Sequence, residues 1–256
     1  MNLRKLFSKV IYFLVIKLKE RTFNGKVKYL FFNNGSKDLL IVFSGFSGEQ
    51  RRYNYVKGLW NINVDKLYIL DTFAYMGSYY LYENGNNEPE KLVKSLIDKI
   101  LTGGGGKSYE HIYMAGSSKG GTAAIYYGVE YNADAILSGA CQWNLGTYLH
   151  CPDHEKIFLS MMGPNASDKE CRELNEVMPN QLKRHNSYNG VIHLLYSKKD
   201  LTYERQIVDL IKNLIENNLR FIEKEEFFEK HSDVGYPFLS YLRNFLLTTT
   251  NVKTEQ

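Results

Sequence analysis

Ser118 lies in the string Ile112-Tyr113-Met114-Ala115-Gly116-Ser117-Ser118-Lys119-Gly120-Gly121, which contains Gly-x-Ser-x-Gly. A serine hydroxyl is a weak nucleophile until an imidazole takes its proton and a carboxylate holds that imidazole. The chemistry this spacing serves is acyl transfer through a serine ester. So short a pattern also arises by chance, so its context decides. Here an apolar strand-like run precedes it and a small-residue helix follows, as a sharp nucleophile turn requires. The glycines leave room where strand and helix approach. The serine at the bend is held in a strained backbone that projects its hydroxyl. The dipole of the following helix favours negative charge. The competing reading makes Ser118 a plain helix N-cap.

Other constellations compete less well. His150-Cys151-Pro152-Asp153-His154 has ligand types that suit zinc, but no second ligand pair stands at the usual spacing. The expectation is therefore no metal and no cofactor. Gly103–Gly106 with Lys107-Ser108 does not complete a phosphate-loop spacing and reads as a flexible connection. Tyr75, Tyr79, Tyr80, Tyr82 and Trp143 could stack on a sugar, against the plainer reading of core packing. Lys119, beside the serine, either meets an anionic substrate group or snorkels outward.

The elements that must position this serine alternate between strand and helix. Val27–Asn33, Leu39–Phe43, Leu67–Leu70, His111–Ala115, Ala135–Ser138, Val191–Tyr196 and Arg220–Ile222 read as strands. The short continuous apolar runs among them fit buried parallel strands. Residues 88–101 carry Leu92, Leu96 and Ile100 at helical spacing. Thr122–Tyr131, Arg205–Asn217 and Pro237–Leu247 read as further helices. The order predicts an α/β fold: a mostly parallel central sheet with helices on both faces. Residues 141–190 show little periodicity, and a loop that long is uncommon without function. They are expected to form a cap-like insertion over a site.

Of 256 residues, 44% are apolar and 23% charged, as in an ordinary globular protein. The net charge of +4 is uneven. Residues 1–29 hold eight basic residues and one acidic, so they carry +7 and the remainder −3. The body is thus no nucleic-acid binder. Residues 2–19 can form a basic, apolar helix that rests on anionic lipid headgroups or simply packs on the body. The apolar run Val10–Ile16 is too short to span a membrane and lacks a cleavage site. Three cysteines, Cys141, Cys151 and Cys171, are too few and odd in number for a disulfide framework. Together these features imply a cytoplasmic protein, membrane-peripheral at most.

From about Leu39 to Leu247 the chain resembles the α/β-hydrolase superfamily, through its serine turn and strand order. The resemblance implies an acid after a later strand and a histidine after the last one. Asp200, following Val191–Tyr196, stands at the acid position, and His231 stands at the histidine position. Asp71 is an alternative acid. Asp200 read plainly would cap a helix, and His231 would be a surface histidine. His111 and His193 sit at the start of a strand and inside one; His150, His154 and His185 fall in the insertion. The oxyanion is expected to meet the Lys119 N–H and a donor from the Gly45-Phe46 loop. The string Ser-Ser-Lys-Gly-Gly is similar to hydrolase-like proteins of bacterial glycan and capsule pathways, some linked to carbohydrate O-acetyl groups. The expected organisation is a basic segment over 1–29, a hydrolase domain over 30–250 with its insertion at about 141–190, and a tail over 251–256. The expected activity is that of an esterase, deacetylase or O-acyltransferase on a small-molecule or glycan ester. The alternative is a non-catalytic binding or assembly component on the same fold.

Overall fold

The computed structural model describes residues 12–46, 51–103 and 108–249. Its centre is an eight-stranded sheet in the order β1-β2-β4-β3-β5-β6-β7-β8. The strands are β1 (Glu20–Phe23), β2 (Val27–Phe32), β3 (Asp38–Phe43), β4 (Asp65–Leu70), β5 (His111–Ser117), β6 (Ala135–Gly139), β7 (Val191–Tyr196) and β8 (Phe221–Glu225). From β4 to β8 all pairings are parallel. β1 and β2 form an antiparallel hairpin, and β2 pairs antiparallel with β4. A mostly parallel sheet in this order, with an antiparallel hairpin at one edge, is the α/β-hydrolase arrangement.

Strand periodicity divides the core in two. Leu39, Ile41 and Phe43 of β3 point to one face, and Leu40 and Val42 to the other. The first face is covered by α2 (Glu88–Leu101), α3 (Lys119–Glu130), α6 (Asp168–Arg184) and α7 (Val208–Glu216). The second is covered by α8 (Gly235–Thr249), residues 53–64 and the inner side of α1 (12–19). The apolar runs of β3 and β4 are continuous because both their faces are buried. β8 is an edge strand, and its exposed Glu223, Lys224 and Glu225 discourage further pairing.

The sequence expectations hold for most elements and shift at several ends. α3 begins at Lys119, three residues early, because Gly120 and Gly121 are already helical. A π-helical turn, Tyr203–Ile207, precedes α7. The 141–190 stretch is more regular than its composition suggested. It contains α4 (Leu145–Leu149), α5 (Glu155–Met162) and the 17-residue α6. α6 opens with a capping box between Ser167 and Glu170 and buries Leu174, Met178 and Leu182. Those three residues recur every fourth position and belong to the main core, as do Leu145 and Leu149 of α4 and Ile157, Phe158 and Met161 of α5. Residues 2–11, most of the glycine run and residues 250–256 lie outside the described residues.

The strand order places the chemistry. β4 lies on one side of β3 and β5 on the other, so connections diverge at β3. Open α/β sheets bind ligands in the crevice at such a switch point, beyond the carboxyl ends of the strands. The loop after β3 carries Gly45 and Phe46; the turn after β5 carries Ser118. Close approach at that turn requires glycine: a Cβ on Gly120 would run into the Phe43 carbonyl, and one on Gly116 into the Gly120 backbone. Gly120→Ala should therefore cost about 2–3 kcal/mol by overpacking, measured by urea unfolding.

Candidate active site

Ser118 has φ 53° and ψ −128°, a strained conformation that aims its side chain away from the β5–α3 turn. Its own N–H donates to Gly139 O of β6 at 2.7 Å, and its carbonyl accepts from Gly121 at 2.8 Å. The bend is thus tied on both sides. His231 begins a 3-10 turn before α8, and Asp200 follows β7. Ser118 Oγ–H donates to His231 Nε2 at 2.8 Å, and His231 Nδ1–H donates to Asp200 Oδ2 at 2.8 Å. The structure therefore brings together the three residues that sequence had placed 82 and 31 positions apart.

Asp200 accepts a further bond from the Thr202 N–H at 2.9 Å. Burial raises its pKa, but the bonds from His231 and Thr202 outweigh burial and hold it below the ordinary carboxylate value. Its stabilising effect is complete above that ordinary value and is lost as pH falls through the depressed one. Asp200 is thus a charged partner for His231 at neutral pH.

Two main-chain N–H groups beside the serine are candidates for holding an oxyanion. Those of Lys119 and Phe46 have no acceptor among the described residues. Gly45 lines the same cavity but corrects one expectation: its N–H donates to Asn54 Oδ1 at 2.9 Å and is occupied. The cavity is about 320 Å³ and is walled by Phe46, Tyr55, Met76, Tyr148, His154 and Ile157. Tyr148 and His154 come from the α4–α5 segment, so the insertion does reach over the serine. The Tyr55 hydroxyl bonds Ser117 Oγ at 2.5 Å, and burial pushes it up to about 12, leaving it a neutral hydrogen-bonding group.

Lys119 neither holds substrate nor snorkels. It is 1% exposed and its Nζ pairs with Asp71 Oδ2 at 2.6 Å. That pair also removes Asp71 as a competing acid. Burial draws the Lys119 pKa down while Asp71 pulls it up. The ammonium lies 5.1 Å from the Phe46 ring centre and 5.0 Å from that of Tyr80, within cation–π range. Of the aromatic cluster, Tyr79, Tyr80 and Trp143 are buried and offer no sugar platform, whereas Tyr75 is exposed and Tyr82 half-buried.

The remaining candidates disperse. His111 is exposed and bonds Asp134, and His193 is packed with its Nδ1 on Tyr241 Oη at 2.7 Å. His150 faces Asp168, whereas His154 Nδ1 bonds Tyr148 O at 3.0 Å. Among the described residues no three such side chains form a metal-binding group. Sequence reasoning missed Tyr55, Tyr148 and, above all, Gln142. Gln142 Nε2 lies 3.3 Å from Ser118 Oγ and 3.4 Å from His231 Nε2. Gln142 follows β6 in a segment without periodicity, and no motif flags it.

Residues 26–247 match the family described as the Accessory Sec system GspB-transporter. The chain belongs to this family. An accessory Sec system protein of Staphylococcus aureus is 25% identical to this family member over 215 residues, 81% of the chain. The chain spans only 40% of that relative's length. The capsule O-acetyltransferase of Neisseria meningitidis serogroup A superposes with TM-score 0.75 at 23% identity, covering 89% of this chain and 93% of that one. A chain of the Gap123 glycosylation-associated complex of Streptococcus agalactiae gives TM-score 0.73 at 20% identity, with 90% and 46% covered. The S. aureus serine hydrolase FphF gives 0.57 at 12% identity, with 86% and 91% covered. These likenesses establish a fold shared with acyltransferases, serine hydrolases and glycosylation-complex proteins.

Removing one partner of a buried ion pair strands the other charge, at a cost of about 3–5 kcal/mol. Lys119→Met and Asp71→Asn should each lose stability on that scale in urea unfolding. The double variant should lose less than the sum, because neither leaves its partner stranded.

Proposed function

We propose that this protein is a serine-dependent acyl-transfer enzyme. The observation that carries the reading is the unbroken pair of 2.8 Å bonds from Ser118 through His231 to Asp200, opening on a cavity. In the first half-reaction the Ser118 proton passes to His231 Nε2 as Oγ bonds the acyl carbon. The tetrahedral oxyanion is held by the Lys119 and Phe46 N–H groups. The leaving group departs with the proton from His231. In the second half-reaction His231 takes a proton from water or an alcohol, which attacks the acyl carbon and releases Ser118. Asp200 keeps the imidazole in the tautomer both steps need.

Likeness to a capsule O-acetyltransferase supports an acetyl group as the acyl unit and a carbohydrate hydroxyl as its partner. A neighbouring structure of that enzyme was solved with CoA, which supports an acyl thioester as donor. Water as the acceptor would make the same site a deacetylase. The cavity is large enough for about one to two sugar rings within the usual range of ligand sites.

A second reading makes the chain an assembly component of a glycosylation or secretion apparatus. It is favoured by the family description and by the Gap123 complex. The two readings differ in whether Ser118 is reactive. A peripheral membrane role for the N-terminal segment is a further proposal. It is supported by the exposed outer face of α1, where Phe13 is 65% and Leu18 81% exposed beside Lys17. No helix among the described residues is long and apolar enough to cross a membrane. Phe13→Ser with Leu18→Ser should weaken sedimentation with phosphatidylglycerol vesicles; unchanged sedimentation removes the idea.

A fluorophosphonate probe should label the intact protein at Ser118. Labelling should vanish in Ser118→Ala and fall strongly in His231→Ala. Asp200→Asn should slow it by about 10²- to 10⁴-fold, since the imidazole then takes the wrong tautomer. A folded intact protein that takes no label would favour the assembly reading.

A further inference from the structure

Gln142 is fully buried. The link between the end of β6 and α3 is made by its main chain: Gln142 N–H donates to Thr122 Oγ1 at 3.0 Å, and Thr122 Oγ1–H donates to Gln142 O at 2.7 Å. Burying an amide costs free energy unless every polar atom finds a partner. The amide of Gln142 finds its partners in the Tyr79 hydroxyl, the Ala140 carbonyl and Ser118 Oγ.

Its orientation is decided by its surroundings. Oε1 accepts from the Tyr79 hydroxyl at 3.2 Å. Nε2 faces the Ala140 carbonyl at 3.5 Å, which only an N–H can approach without repulsion. The other N–H is thereby aimed at Ser118 Oγ, 3.3 Å away. Reversed, the amide oxygen would accept the serine proton and divert it from His231. As placed, the amide donates to Oγ from the protein side and leaves the hydroxyl proton pointing at Nε2.

We propose that Gln142 is a catalytic residue that donates an N–H to Ser118 Oγ and steadies that oxygen whenever it carries negative charge. This rests on the reading of Ser118 as a nucleophile. Oγ bears such charge twice. In acylation its O–H bond breaks toward His231 while its bond to the acyl carbon forms. In deacylation that carbon–oxygen bond breaks and Oγ regains a proton from His231. The Lys119 and Phe46 N–H groups serve the other oxygen, that of the acyl carbonyl. Gln142 is the donor reserved for the serine oxygen itself. Gln142 Nε2 also stands 3.4 Å from His231 Nε2, so the amide borders both atoms between which the proton passes.

The test is the rate and pH profile of fluorophosphonate labelling in the full chain. Gln142→Met should still be labelled at Ser118, but about 10- to 100-fold more slowly, somewhat less than the loss of an oxyanion donor. Gln142→Glu places a carboxylate beside His231 Nε2, opposite the Asp200 carboxylate bonded to Nδ1. The acid limb of the profile should then move to higher pH by about one unit, as an added opposite charge favours the imidazolium. Tyr79→Phe keeps the ring and removes only the hydroxyl that holds Oε1. It should slow labelling by several-fold and serves as the test if the Gln142 variants do not fold. Wild-type rates in folded Gln142→Met, or in Tyr79→Phe when that variant must decide, overturn the proposal and leave Ser118 as the nucleophile. An unlabelled wild type overturns the parent reading, and this one with it.

Discussion

The buried pair of Lys119 and Asp71 is the interaction on which the site's geometry depends. Two charges taken out of water are costly unless their remaining hydrogen-bonding capacity is met. Here it is met by the loop after β4. Asp71 accepts from Ser78 N–H at 2.7 Å and from Tyr80 N–H at 3.3 Å, and so curls residues 71–80 around itself. That loop is strained: Ala74, Met76, Tyr79 and Tyr80 all have positive φ. Single residues of this kind cost about 1–3 kcal/mol each and persist only where their surroundings over-determine them. Arg51 adds to the hold by donating to the carbonyls of Phe73 and Ala74. On its other side, Lys119 is the first residue of α3 and the neighbour of Ser118. One ion pair therefore couples the serine turn, the Phe46 ring and the β4 loop.

The loop passes this order on to the insertion. Tyr75 N–H donates to Ser160 Oγ, and Asn84 and Gly85 N–H donate to the carbonyls of Ser160 and Met161 in α5. The wall of the cavity is thus anchored through main-chain bonds rather than through apolar contact alone. Tyr148 and His154, which face the serine from that wall, are held against each other with ring centres 4.6 Å apart. Pre-set walls of this sort lower the entropic cost of orienting a ligand.

Much of this was legible in the sequence, for identifiable reasons. The serine turn could be read because strand, glycines and helix are contiguous. Asp200 and His231 could be read because the resemblance to α/β-hydrolases puts an acid after a later strand and a histidine after the last, and Val191–Tyr196 and Phe221-Ile222 were recognisable as those strands. β1 was missed because Glu20–Phe23 is a short, largely exposed edge strand with no apolar alternation. α6 was missed because its stripe of Leu174, Met178 and Leu182 is diluted by charged neighbours, although Ser167-Asp168-Lys169-Glu170 marked its start. Lys119 and Gln142 show the deeper limit. A motif gives the place of a backbone, but the destination of a side chain depends on partners such as Asp71 and Tyr79 that are distant in the chain. An amide two residues beyond β6 carries no pattern until the fold sets it against a hydroxyl.

Gly77 adopts φ +115° between the two charges, and a Cβ there would intrude on both Lys119 Nζ and Asp71 Oδ2. The β4 loop can consequently neither gain a side chain at its tightest point nor change length without exposing the ion pair. Tyr148, His154 and Ile157 line the cavity on its other side, where a side chain can change without disturbing that buried charge. The fold thus separates a side of the pocket tied to a buried charge from a side that is not.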